Sequence, residues 1–150
     1  MSQATAQDAE LILKLYDLRR EAVMREARNF VGTFFPASFE ELMAVVGQFG
    51  SKENAYVRQV YGYWEMVAAL IVHGTLNPAL AEDTLGEMYF VYGKIQPFLK
   101  QMRETMKAPE FLQNVQKVVE GTPESRERLA RMQQRMAEMA KMRATAAKQA

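Results

Sequence analysis

Apolar side chains recur every three or four positions along most of the chain, the spacing of one face of an α-helix. Leu11, Leu15, Leu18 and Ala22 open the pattern, and Val23, Ala27, Phe30 and Phe34 carry it on one residue over. A first helix is therefore expected over residues 8–34, with Asp17, Glu21, Arg25 and Arg28 on its wet face. Glu10 to Lys14 and Glu21 to Arg25 stand in the favourable i,i+4 order. Pro36 disfavours helix at Phe35 and closes the element. Ser38-Phe39-Glu40-Glu41 reads as a capping box, in which the Ser38 hydroxyl accepts from the Glu41 amide and Glu41 reaches back. The short helix it opens is expected to bury Leu42, Val45, Val46 and Phe49. Gly50 is its left-handed stop and Ser51 the next N-cap.

The third helix, over residues 52–73, changes character midway. Val57, Val60, Tyr61 and Trp64 share one face of its first half, whereas its second half is apolar all round and calls for neighbours on several sides. It is expected to be the central helix of a bundle. Gly74 caps it, Asn77 caps the next element and Pro78 takes that element's first position. One short turn at Ala79-Leu80-Ala81 and a main helix from about Asp83 or Thr84 to Met106 are expected next, with Leu85, Met88, Tyr89, Tyr92, Ile95 and Leu99 inward. Pro97 predicts a kink near Gly93. A modest helix over residues 110–119 turns Phe111, Leu112, Val115 and Val118 inward. Gly121-Thr122-Pro123-Glu124 then combines a stop, an N-cap, a first-turn proline and a first-turn acid, and a long helix follows over residues 123–147. No strand-type alternation occurs. The fold class is all-α: a single bundle of about five or six helices, with residues 1–121 as the bundle and 122–150 as a C-terminal helix that either joins it or projects.

Composition narrows the function more than it names it. The 150 residues are 49% hydrophobic and 25% charged, ordinary for a globular domain, and folding should bury roughly 70% of the unfolded chain's surface. A formal charge of +1 provides no global field for nucleic acid or anionic membrane. With no Cys and one His, disulfides, thiolate chemistry and multi-histidine metal sites are excluded, and no cofactor or metal is expected. His73, in a last helical turn, is accounted for by the carbonyls there. Phosphate-binding glycine motifs and a nucleophile elbow are absent. The most apolar window, Met66 to Val72, is far shorter than the ~20 residues of a membrane span. The opening residues lack the basic and apolar regions of a signal peptide, so a cytoplasmic location is expected.

The last helix is the most unusual segment. Leu129, Met132, Met136 and Met139 form a heptad-like seam with Met142 beside it, and the basic Arg126, Arg128, Arg131, Arg135, Lys141, Arg143 and Lys148 outnumber Glu124, Glu127 and Glu138. Three readings stay open: packing on its own bundle, pairing with a second copy or a protein partner through soft methionines, and binding of nucleic acid or lipid, which the lack of interleaved aromatics disfavours.

Glu65, between Trp64 and Met66 in an apolar helix, needs a partner. Arg58, two turns earlier on the same face, and Lys94 in the following helix are the candidates. A structural carboxylate is one reading; a ligand site formed by Trp64, Glu65, Tyr89 and Tyr92 is the other. Gly62 and Ala69, like Gly86 and Gly93, are seven apart, which implies either a close crossing of their two helices or a pocket floored by backbone.

Tyr63-Trp64-Glu65-Met66-Val67-Ala68, with Ile71, Gly74, Asn77-Pro78, Leu80, Gly86, Tyr92, Pro97 and Arg103, resembles a pattern in small bacterial helical proteins grouped as a domain of unknown function. The resemblance spans about residues 56–104 and implies no activity. It makes Trp64, Glu65 and Arg103 pattern positions and implies a Glu65–Arg103 ion pair. The expected function is a non-enzymatic interaction or regulatory module that binds a protein partner or a second copy through its last helix; the alternative is a small-ligand sensor built on the Trp64–Glu65–Tyr89–Tyr92 pocket.

Overall fold

A computed structural model describes residues 2–150. Among the described residues it holds nine α-helices, one turn of 3₁₀ helix and no strand: α1 Ala6–Arg19, α2 Ala22–Thr33, α3 Phe39–Val46, α4 Lys52–Val72, α5 Pro78–Thr84, α6 Glu87–Ile95, α7 Leu99–Met106, α8 Gln113–Glu120 and α9 Pro123–Gln149. The all-helical reading stands, but two of the expected helices are each broken in two.

The first break falls at Arg20-Glu21. Glu21 caps α2, its carboxylate accepting from the amides of Val23 (3.1 Å) and Met24 (3.0 Å). The one-residue offset in the apolar stripe is the cause: the buried positions are Ile12, Leu15 and Arg19 on α1, then Met24, Ala27 and Val31 on α2. A single straight helix cannot keep both rows inward. Leu18 and Val23, expected inward, are exposed, and Arg28, expected on the wet face, is half-buried. The second break is at Pro97. The chain tightens into a 3₁₀ turn over Gln96–Phe98 between α6 and α7, because proline removes a donor and crowds the preceding turn.

Local chemistry sets most other boundaries. Thr5 and Asp8 form a capping box at α1, Ser51 caps α4 through the Asn54 amide, Asn77 and Pro78 start α5, and Thr122 caps α9. Ser38 accepts from the Glu41 amide as expected, but Glu41 reaches the Ala37 amide (2.8 Å) rather than that of Ser38. α3 ends at Val46 and leaves Phe49 80% exposed, a correction to its expected burial. Gly74, at φ 74°, supplies the left-handed turn after α4. α4 is central, packing on α2, α3 and α8, with Val60, Trp64, Val67 and Ala68 wholly buried. Its second half is not surrounded, however: Met66 and Val72 reach solvent.

Candidate functional site

Glu65 projects from α4 onto the start of α8. One carboxylate oxygen accepts from the Asn114 amide (3.0 Å) and side chain (2.8 Å), the other from the Val115 amide (3.0 Å). α8 needs this. It begins after Leu112, which is left-handed (φ 55°) and gives no side-chain cap; the Gln113 amide bonds the Glu110 carbonyl, and the next two amides find their acceptor on another helix. The position suits an anion, since those amides carry the positive end of the helix dipole. Glu65 is thus a structural carboxylate held by amides rather than by a cation.

None of the three cations expected beside Glu65 pairs with it. Arg58 donates through Nε to Asn54 Oδ1 (3.0 Å). Arg103 donates to the Phe111 carbonyl (2.9 Å) and the Gln116 side chain (2.9 Å). In place of the ion pair, Arg103 and Glu65 grip the two sides of one turn, the arginine taking its carbonyl and the carboxylate its amides. Lys94 is buried elsewhere: its Nζ donates to the Val31 carbonyl and lies 4.1 and 4.2 Å from the ring centroids of Phe35 and Phe90. Burial pulls its ammonium down to about 8, because desolvation disfavours the charged form.

Trp64, Tyr89 and Tyr92 do not converge with Glu65 on one pocket. Trp64 is wholly buried toward α1, where the Arg19 guanidinium lies 5.3 Å from its ring. Tyr89 donates to Glu82 (2.8 Å) beside α9, and Tyr92 donates to Glu120 (2.6 Å) of α8. Burial, then the carboxylate each bonds, pushes both phenols well above their usual range. Both stay neutral donors.

A partly buried ionic cluster joins α1, α2 and α6 and takes in Arg28, expected on a wet face. Glu87 accepts from Arg19 (2.5 Å) and, through both oxygens, from Arg28 (2.6–3.1 Å). Burial raises the Glu87 carboxyl, but the two guanidiniums outweigh it and hold it below its usual range. Arg19 is only 8% exposed. Its position four residues after Leu15, on the apolar row, was the signal in the sequence.

The last helix divides in two. Leu129 is buried and Met132, Gln133 and Met136 are half-buried against the bundle, where α9 packs on α6 and α8. Gly93 makes the approach possible: a Cβ there would stand 3.0 Å from Met136 Cε and 3.4 Å from Leu129 Cδ1. Gly86 faces Arg128 in the same way, whereas a Cβ on Gly62 meets nothing within 4 Å. The expected crossing of the third helix with the next through paired glycines is therefore corrected: Gly86 and Gly93 seat α9. Arg128 is anchored by Glu82 (2.6 Å) and stacks on Tyr89, while Arg131 and Arg135 are exposed. Every residue from 137 to 149 is exposed, including Met139 (49%) and Met142 (71%), although the Arg143 guanidinium reaches back to within 5.8 Å of the Phe35 ring centroid.

An apolar groove of about 530 Å³ runs along α4 between α3, α7 and the segment leading into α8. Leu42, Val46, Val57, Met102, Met106 and Phe111 line it, with Arg58, Gly62 and Glu65 along its α4 wall. Among the described residues no three His, Asp or Glu side chains are grouped to hold a metal, and no helix is long and apolar enough to cross a membrane. A family model described as a domain of unknown function, DUF4760, matches residues 4–122; that match stops at the cap of α9. No curated protein and no solved structure matches the chain.

Proposed function

The chain belongs to the DUF4760 family of domains of unknown function, and from that premise we propose that it is a non-enzymatic, cytoplasmic interaction module whose C-terminal arm pairs with the arm of a second copy. The observation that carries the reading is the division of α9: residues 123–136 are seated on the bundle, and residues 137–149 continue the same helix with every side chain exposed. That arm is about 20 Å long at 1.5 Å per residue. Met139, Met142 and Ala146 stand on one side of it at three- and four-residue spacing, flanked by Arg143, and an apolar stripe on an exposed helix is stabilised by a partner that covers it. Methionine is adaptable, which suits a contact surface.

The seam at Leu129, Met132 and Met136 is occupied by the bundle itself, so the variants that test pairing are on the arm. Light scattering on the intact protein should return twice 17.1 kDa, and Met139→Glu with Met142→Glu should return the monomer with the fold unchanged. A monomeric wild type at high micromolar concentration would count against self-pairing.

A further inference from the structure

We propose that the groove along α4 is a binding site for an apolar molecule carrying one anionic group, such as a medium-chain fatty acid, with Arg58 receiving the anion. The groove lies wholly within the segment the family model matches, so it belongs to the domain rather than to the arm.

Three observations fix the ligand class. First, the space is that of a small-molecule site: about 530 Å³ falls within the several hundred Å³ usual for such clefts, which are largely apolar with a few polar groups. It also extends past α3 to Phe49, whose ring is 80% exposed and finds no cover in the bundle. Second, the groove is open where a side chain is missing. Gly62 stands mid-helix at its exposed rim, and among the described residues nothing lies within 4 Å of where its Cβ would be. Glycine inside a helix is unfavourable relative to alanine, and here no neighbour's close approach requires it.

Third, the polar groups leave one cation free. On the α4 wall the Asn54 amide nitrogen donates to the Val46 carbonyl (2.8 Å), the Tyr61 hydroxyl to the Val91 carbonyl (2.7 Å), and Glu65 is occupied by the amides of α8. Glu110 and Gln113 also border the groove from the segment before α8. Among the described residues of the lining Arg58 is the one cation, exposed at the rim of the groove. Its Nε is held by Asn54 (3.0 Å), which leaves its terminal nitrogens facing solvent at the groove's mouth. A guanidinium oriented in this way presents a fork that matches a carboxylate, one turn from the gap at Gly62.

The test is calorimetric titration of the full-length protein with dodecanoate, kept below its micelle concentration, and in parallel with dodecanol. Wild type should bind dodecanoate one to one. Gly62→Leu, which fills the groove, should weaken binding at least about tenfold while leaving Tm unchanged or raised, because the site has room for the side chain. Arg58→Gln should weaken dodecanoate by about tenfold, the scale of one charged hydrogen bond, and leave dodecanol within about twofold. No binding by wild type, or equal binding by wild type and Gly62→Leu, overturns the proposal. So does loss of dimer mass in Gly62→Leu without any dodecanoate binding, which would make the groove a protein interface.

Discussion

Replacing Glu65 with alanine removes the acceptor of the Asn114 and Val115 amides, in the first turn of a helix whose N-cap residue offers no side-chain bond. Three donors lose their partner: the amides of Asn114 and Val115, each at 3.0 Å, and the Asn114 side chain at 2.8 Å. Loss of an N-cap acceptor costs about 0.5–2 kcal/mol, and loss of a negative charge at a helix N-terminus about 0.3–1 kcal/mol more. Because three donors rather than one are orphaned, we expect the upper part of the summed range, about 2–3 kcal/mol. For a domain of this size each kcal/mol moves Tm by about 2–4 °C, so Glu65→Ala should melt about 5–10 °C below wild type by circular dichroism. Glu65→Gln keeps one carbonyl acceptor and should lose about half as much. Hydrogen exchange localises the effect, with protection falling first at Asn114 and Val115. If Glu65→Ala melts within about 1 °C of wild type and those amides stay protected, the carboxylate is not the cap of α8.

Lys94 makes stability rise with pH, as a paired carboxylate does, but in an alkaline window and by relief of a burial penalty rather than by gain of a pairing. Its ammonium is drawn down to about 8 in the folded chain, against an ordinary value near 10.4. Below about pH 8 the proton is bound in both states and the burial penalty is carried in full. Between there and pH 10.4 the unfolded chain binds more protons, so wild-type stability should rise with pH relative to Lys94→Met, by about 2–3 kcal/mol across the window; parallel urea-unfolding curves would contradict this. Gly93→Leu should unseat the last helix, since its Cβ alone would stand 3.0 Å from Met136 and 3.4 Å from Leu129. A cost of about 1–3 kcal/mol is expected, along with faster tryptic cleavage after Arg131 and Arg135, and unchanged cleavage would refute that packing.

Local signals were legible and distant ones were not. Ser51, Asn77-Pro78 and Thr122-Pro123 mark helix starts because an N-cap and its amide are two or three residues apart, so the sequence contains both partners. The central α4 followed from the length and apolarity of its pattern. Arg19 shows the opposite case: it sits on the apolar row of α1 because Glu87, 68 residues away, accepts from it, and nothing near Arg19 announces that acid. Glu65 stands out in the sequence as a charge in need of a partner, but its partners are two backbone amides and the Asn114 side chain, and a backbone amide is carried by every residue but proline, so no pattern distinguishes it. For the same reason Lys94 stood out in its apolar run while its contacts, a carbonyl and two phenylalanine rings, did not. The methionine seam of α9 was visible; that it divides at Met136 was not, because the division depends on where the bundle beneath it ends.

The central claim is that α9 seats its first half and offers its second. Mass by light scattering across a concentration series, for wild type and for the Met139→Glu, Met142→Glu double variant, tests it most directly. A wild type that moves toward twice 17.1 kDa with rising concentration, while the variant stays monomeric and melts at the same temperature, is the expected result. A variant that associates as strongly as wild type would contradict it.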